Sequence, residues 1–148
     1  MFSFTRQLSS ASVLALMALL VGCGPSDPHE KVMSQSISCM KDLNDVLDGV
    51  KTEVDAKAAV PKVKAIAERL KQTAKDAKAL PAPSPDKLKE MQKKYEAQAK
   101  AEGERMDKNM KRLDGNMAVM QVLGPSIMEM SGSIVDVTSS IALPPLGK

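Results

Sequence analysis

Residues 28–54 read PHEKVMSQSISCMKDLNDVLDGVKTEV, and the spacing of their apolar members decides the fold class. Met33, Ile37, Met40, Leu43, Leu47, Val50 and Val54 recur three or four residues apart. That is the period of one face of an α-helix, not the two-residue alternation of a strand. Asp27 stands before the stripe as a candidate cap, with Pro28 at the first helical position and Glu30 three residues past the cap. The pattern predicts an amphipathic helix over about 28–54, weakened in its last turn by Gly49.

The same period continues along the chain. Val60, Val63, Ala67, Leu70, Ala74 and Ala77, with Ile66 beside them, predict a second helix over 55–80. Asp55 is its expected cap, which makes the first two helices a tight αα-hairpin. Pro61 is awkward there, because a proline deep in a helix costs about 3 kcal/mol. Either the helix begins at Pro61, or residues 55–60 form a kinked first turn. Leu80-Pro-Ala-Pro-Ser-Pro85 reads as a stiff connector, and Ser84, Pro85 and Asp86 give a strong helix start. A third helix is expected over 85–114, with Leu88, Met91, Tyr95, Ala99, Met106, Met110 and Leu113 on one face. Glu102 and Gly103 interrupt that face.

Residues 115–143 are ambiguous. Ile127, Met130, Ile134, Val137 and Ile141 keep the helical spacing, and Ser126 to Glu129 has the interval of a capping box. Ser, Thr, β-branched residues and Gly132 oppose a helix. The expected fold is all-α: a small up-down bundle of three main helices over 29–114, a weaker helical segment over 115–143, and an extended tail over 144–148.

Composition supports that class. Aromatics make up 2% of the 148 residues, with no Trp, a single Tyr (Tyr95), and Phe2 and Phe4 at the very start. Nine of the eleven Met lie after residue 30, and flexible Met fills the irregular gaps between helices. Formal charge is +3, too small to argue for nucleic acid. The charge is unevenly placed, at −4 over 27–55, +5 over 56–80, +2 over 86–114 and −1 over 115–148. Neighbouring segments of opposite sign suit an antiparallel helix pair and favour register more than stability.

Residues 1–22 have the layout of a signal peptide: a polar start with Arg6, then an apolar core from about Ala11 to Val21. Such a core is too short to span a bilayer about 30 Å thick. It runs into Leu20-Val21-Gly22-Cys23, which resembles the lipobox of bacterial lipoproteins, with Leu three positions before the cysteine and a small residue immediately before it. The resemblance implies a diacylglyceryl thioether on Cys23, cleavage between Gly22 and Cys23, and acylation of the new N-terminus. Two or three acyl chains hold a protein on a membrane stably, whereas one holds it only marginally. Residues 23–28 are then the lipidated cysteine and a short spacer. Gly24 replaces the Asp that resembles an inner-membrane retention signal, so an outer membrane is favoured in a host that has one. With Cys23 alkylated, Cys39 has no disulfide partner and is expected in the core. The stretch AKAAVPKVKAIAERLK (56–71), between an acidic first helix and a charged third one, is similar to small helical lipoproteins of planctomycete-type bacteria. That likeness covers roughly 40–114 and implies no activity.

Catalysis is not expected. His29 is the single histidine, and the chain carries no Ser/His/Asp arrangement, HExxH, CxxC or glycine-rich phosphate loop. No cofactor is expected. Soft thioethers at Met106/Met110, Met117/Met120 and Met128/Met130, and the pair His29/Met33, raise Cu(I) as a minor reading, outweighed by a plain Met-lined core. Lysine-rich runs without interleaved aromatics read as solvated faces rather than a nucleic-acid surface. The expected partners are the membrane, through the lipid, and an envelope protein or polymer. Murein-type lipoproteins also end in a lysine, so Lys148 supports an alternative reading as a tether, although Pro144, Pro145 and the interrupted heptads depart from that type.

Overall fold

The structure, a computed structural model, describes residues 27–140. Residues 1–26, on which the expected signal peptide and Cys23 fall, and residues 141–148 lie outside them. Four helices follow in order: α1 (Pro28–Asp48), α2 (Glu53–Ala79), α3 (Pro85–Asp114) and α4 (Met117–Ser140). The expected helical bundle is present, and its C-terminal segment is a full fourth helix rather than a weak appendage.

α1 begins as read: the Asp27 carboxylate accepts from the amides of His29 at 2.9 Å and Glu30 at 3.2 Å. It ends at Asp48, six residues before the expected limit, with Gly49 as its C-cap. Val50 is buried in the turn that follows, whereas Val54 belongs to α2 and is 75% exposed. Thr52, not Asp55, caps α2. Its hydroxyl accepts from the Asp55 amide and the Asp55 carboxylate accepts from the Thr52 amide, a reciprocal capping box.

α2 then runs straight through Pro61. Pro61 and Lys57, whose carbonyl the proline ring leaves unbonded, both lie on the exposed face, where water can take the place of the missing bond and reduce its cost. α3 has the expected bounds, with the Ser84 hydroxyl accepting from the Lys87 amide at 3.2 Å. α4 likewise passes through Gly124 and Pro125, so the Ser126–Glu129 spacing marks no cap and Ser126 is buried inside the helix. Its hydroxyls turn back on their own helix: Ser131 donates to the Ile127 carbonyl and Ser133 to that of Glu129. Such back-bonding gives each hydroxyl a partner inside the helix but does not stabilise it, so α4 is held by its packing on α2. Asn116 caps α4 through its side-chain oxygen, which accepts from the Val119 amide.

Contacts between elements fix the arrangement. α1 and α2 are antiparallel, with Asp42 on Arg69 at 2.6 Å and His29 beside Pro81. α1 and α3 are parallel, with Glu30 on Lys87, Asn44 on Glu102 and Asp48 on Arg105 in ascending order. α2 and α4 are parallel too, joined by Lys71–Glu129 and Lys78–Asp136. α2 and α4 form the most extensive contact, while α3 and α4 touch sparingly. Read around the bundle, the order is α3, α1, α2, α4.

The chain alternates in direction, yet α2 and α3 sit diagonally. Residues 80–84 cross the bundle end between them, with extended backbone at Leu80 (ψ 146°) and Ser84 (ψ 153°). Five residues in that conformation span about 15 Å, enough for the diagonal of helices packed about 8–10 Å apart. The connector's prolines give it that reach.

Leu43, Leu47, Val63, Leu70, Met91, Leu113, Val119 and Leu123 form a continuous core, with the alanines of α2 between them. Ala56, Ala59, Val63, Ile66, Leu70, Thr73 and Ala77 are all buried, and they alternate by three and four along α2. Small residues at most of these positions let α2 approach both α1 and α4 closely. Cys39 is 2% exposed, as expected, and burial pushes its thiol up, keeping it protonated and unreactive.

Candidate functional site

Two polar assemblies tie α1 to α3. The first lies where the described chain begins, four residues after Cys23. Glu30, 8% exposed, accepts from the Lys87 ammonium at 2.8 Å and from that of Lys94 at 2.6 Å. Lys87 also reaches Asp27 at 3.4 Å and Glu90 at 3.3 Å. The hydrogen bonds from Lys87 and Lys94 hold the Glu30 carboxyl below the ordinary glutamate range, and Glu30 in turn raises Lys87. Burial would raise Asp27, but the Glu30 and His29 amides and the Lys87 ammonium outweigh it and keep that carboxyl low. His29 Nε2 lies 2.8 Å from the Pro81 carbonyl. A carbonyl only accepts, so the ring proton sits on Nε2, and His29 pins the connector to α1.

The second assembly is at the other end of the same seam. Asn44, fully buried, donates through its amide nitrogen to the backbone carbonyl of Glu102 at 2.9 Å and to its carboxylate at 2.8 Å. Asn109, 4% exposed, donates to Asp48 at 2.7 Å and accepts from Arg112 at 2.9 Å. Arg105 bridges Asp45 and Asp48 and holds the Asp48 carboxyl low, with help from Asn109; Asp45 is lowered by Lys41 and Arg105 together. α1 has no basic residue in its own last turn. Arg112 supplies one from α3, donating to the carbonyls of Leu47 and Val50 at the negative end of the α1 dipole. Glu102, which looked like an interruption of the α3 stripe, is the residue that meets Asn44.

The oppositely charged α1 and α2 do form an antiparallel pair, joined by Asp42 and Arg69, but most of the paired α1 acids face α3. Acidic α1 lies between two basic helices, giving Asp42 to α2 and Glu30, Asp45 and Asp48 to α3. The surplus lysines of α2 take up Glu129 and Asp136, the two carboxylates of α4.

The remaining residues singled out in the sequence are dispersed. Met33 and Met130 are buried, Met106, Met110 and Met120 half-buried, and Met117 and Met128 exposed at 79% and 78%. Met128 and Met130 therefore face opposite sides of α4. Among the described residues no cluster of three or more His, Cys, Asp or Glu is placed to hold a metal ion. No described helix is long and apolar enough to cross a membrane. Gly22, Cys23 and Lys148 lie outside the described residues. No protein-family model matches this chain, nor does any curated protein or solved structure.

Proposed function

We propose that this chain is a lipid-anchored protein of the bacterial cell envelope, its four-helix bundle a non-catalytic interaction module held at the membrane surface by Cys23. The observation that carries the reading is Leu20-Val21-Gly22-Cys23 placed directly behind an apolar run of signal-peptide length. The fold is consistent with it. The first helix starts at Pro28, so the bundle is tethered within about 18 Å of the acylated residue. The carboxylates of the α1–α3 seam each face a cation, which suits a clamp between helices rather than acid–base chemistry.

Intact mass spectrometry of the protein extracted from a bacterial host tests the reading. The expected species begins at Cys23 and carries two or three acyl chains. Cleavage elsewhere, or an unmodified Cys23, overturns it.

The tether alternative places Lys148 in linkage to peptidoglycan. α4 ends at Ser140 on the same end of the bundle at which α1 begins. The departures of Pro144, Pro145 and the interrupted heptads from the murein type favour the interaction module. Release of the protein by muramidase, carrying muropeptide mass on Lys148, would favour the tether instead.

A further inference from the structure

α4 has a second face that the bundle does not use. Met117, Gln121, Gly124, Met128, Ser131 and Val135 follow one another at alternating intervals of four and three, the spacing of a coiled-coil seam. The seam points away from the core. Met117, Met128 and Val135 are 79%, 78% and 64% exposed, three of the four large apolar side chains turned to solvent among the described residues. It also carries no charge. The two carboxylates of α4, Glu129 and Asp136, are held by Lys71 and Lys78 of α2. Gly132 borders the seam, and a Cβ there would meet nothing within 4 Å. Glycine inside a helix costs about 1 kcal/mol relative to alanine, and no neighbour within the bundle explains it.

We infer that this face pairs with the same face of a second copy, α4 alongside α4 in parallel, when the protein is anchored. The orientation rests on the lipid-anchor reading: two copies held in one leaflet by Cys23 present their α4 helices in the same direction. Parallel pairing places Met117 against Met117 and Met128 against Met128 of the other copy, with Gly124 and Gly132 allowing close approach. Self-pairing brings no like charges together, because the seam has none and the flanking acids are neutralised within each bundle. A single seam about 27 Å long covers less than the roughly 800 Å² per partner of a standard interface. It is weak for molecules free in solution. Confinement to a membrane supplies the effective concentration such a contact needs.

The test uses Met117→Cys, Met128→Cys and, as a control on the exposed side of α3, Lys100→Cys. Each acylated protein is reconstituted in phosphatidylethanolamine/phosphatidylglycerol vesicles and treated with a short bis-maleimide. Buried Cys39 is left in place. Covalent dimer is expected from both Met positions at about tenfold or more the yield from Lys100→Cys. Adding Met128→Lys should reduce the Met117→Cys dimer several-fold. Equal yields at all three positions, or none, overturn the inference. So does crosslinking of Met117→Cys only when mixed with Val135→Cys, the signature of antiparallel pairing.

The same variants carrying a polyhistidine tag in place of residues 1–23, bound to nickel-chelating vesicles, separate the two readings. Position-specific dimer there, with the full chain found unacylated by intact mass, refutes the anchor and keeps the seam. An acylated chain without position-specific dimer does the reverse.

Discussion

Asn44 is enclosed between α1 and α3 with no exposed surface, and its amide nitrogen binds both the backbone and the side chain of Glu102. Those bonds are satisfied at one axial offset of the two helices, so Asn44 selects register where aliphatic contacts alone would tolerate sliding. Asn44→Ala should destabilise the protein by roughly 1–3 kcal/mol, since it strands buried polar groups on α3. The neighbouring Leu43→Ala should cost roughly 2–5 kcal/mol through cavity formation. Urea unfolding measures both. Asn109 also donates to the Asn44 side-chain oxygen at 3.5 Å, so replacing Asn44 and Asn109 together by Leu should cost less than the sum of the single replacements, because the shared bond is lost only once. An additive result would mean that the two amides do not form one network.

Among the elements, α2 and α4 each carry a proline in the interior, and each continues past it. Pro61 removes one helical hydrogen bond on the exposed face, so Pro61→Ala should stabilise the protein by up to about 3 kcal/mol, read as a higher unfolding midpoint. A loss of stability would show that the backbone restriction imposed by Pro61 is required for α2 to pack on the core. The elements also show what the sequence could convey. α3 was legible to its last residue because Ser84-Pro85-Asp86 and Gly115 mark both ends chemically. The end of α1 was not, because Val50 and Val54 prolong the apolar rhythm across a turn. Val50 is buried for a different reason, in that turn, and Val54 is not buried at all. The Thr52-to-Asp55 capping box was readable there and would have corrected the boundary. α4 was obscured by residues that oppose helix in isolation and are tolerated here because its apolar face, with Val119, Leu123, Ile127, Met130 and Val137, is buried against the bundle. The neighbours of each helix were beyond reach. Periodicity tells which face is apolar, not which helix covers it, and the diagonal crossing of residues 80–84 depends on a packing choice among three other helices.

For the molecule as a whole, the ionic clamps make stability a function of pH on both sides of neutrality. Glu30, Asp45 and Asp48 have carboxyls held below their ordinary values of 4.5, 3.8 and 3.8 by the bonds from Lys87 and Lys94, from Lys41 and Arg105, and from Arg105 and Asn109. A carboxyl depressed on folding contributes stability that is complete above its unfolded value and is lost as pH falls through its folded one. Lys71 is raised above its ordinary value of 10.5 by Glu129 and Glu68, and Lys87 and Lys94 by Glu30. A raised lysine contributes below 10.5 and loses its contribution as pH climbs through the folded value. Thermal unfolding followed by circular dichroism should therefore show a plateau from about pH 5 to 10, with a decline on either side. Glu30→Gln tests the assignment to one site. It removes the acceptor shared by Lys87 and Lys94, so it should lower the plateau and shallow both declines at once. Added salt should weaken the exposed pairs most and leave more of the Glu30 clamp, whose carboxylate is the most enclosed of the three. If Glu30→Gln leaves the shape of both limbs unchanged, the pH dependence arises elsewhere, in Asp45 and Asp48 on the acid side and in the Lys71 pairs on the alkaline side.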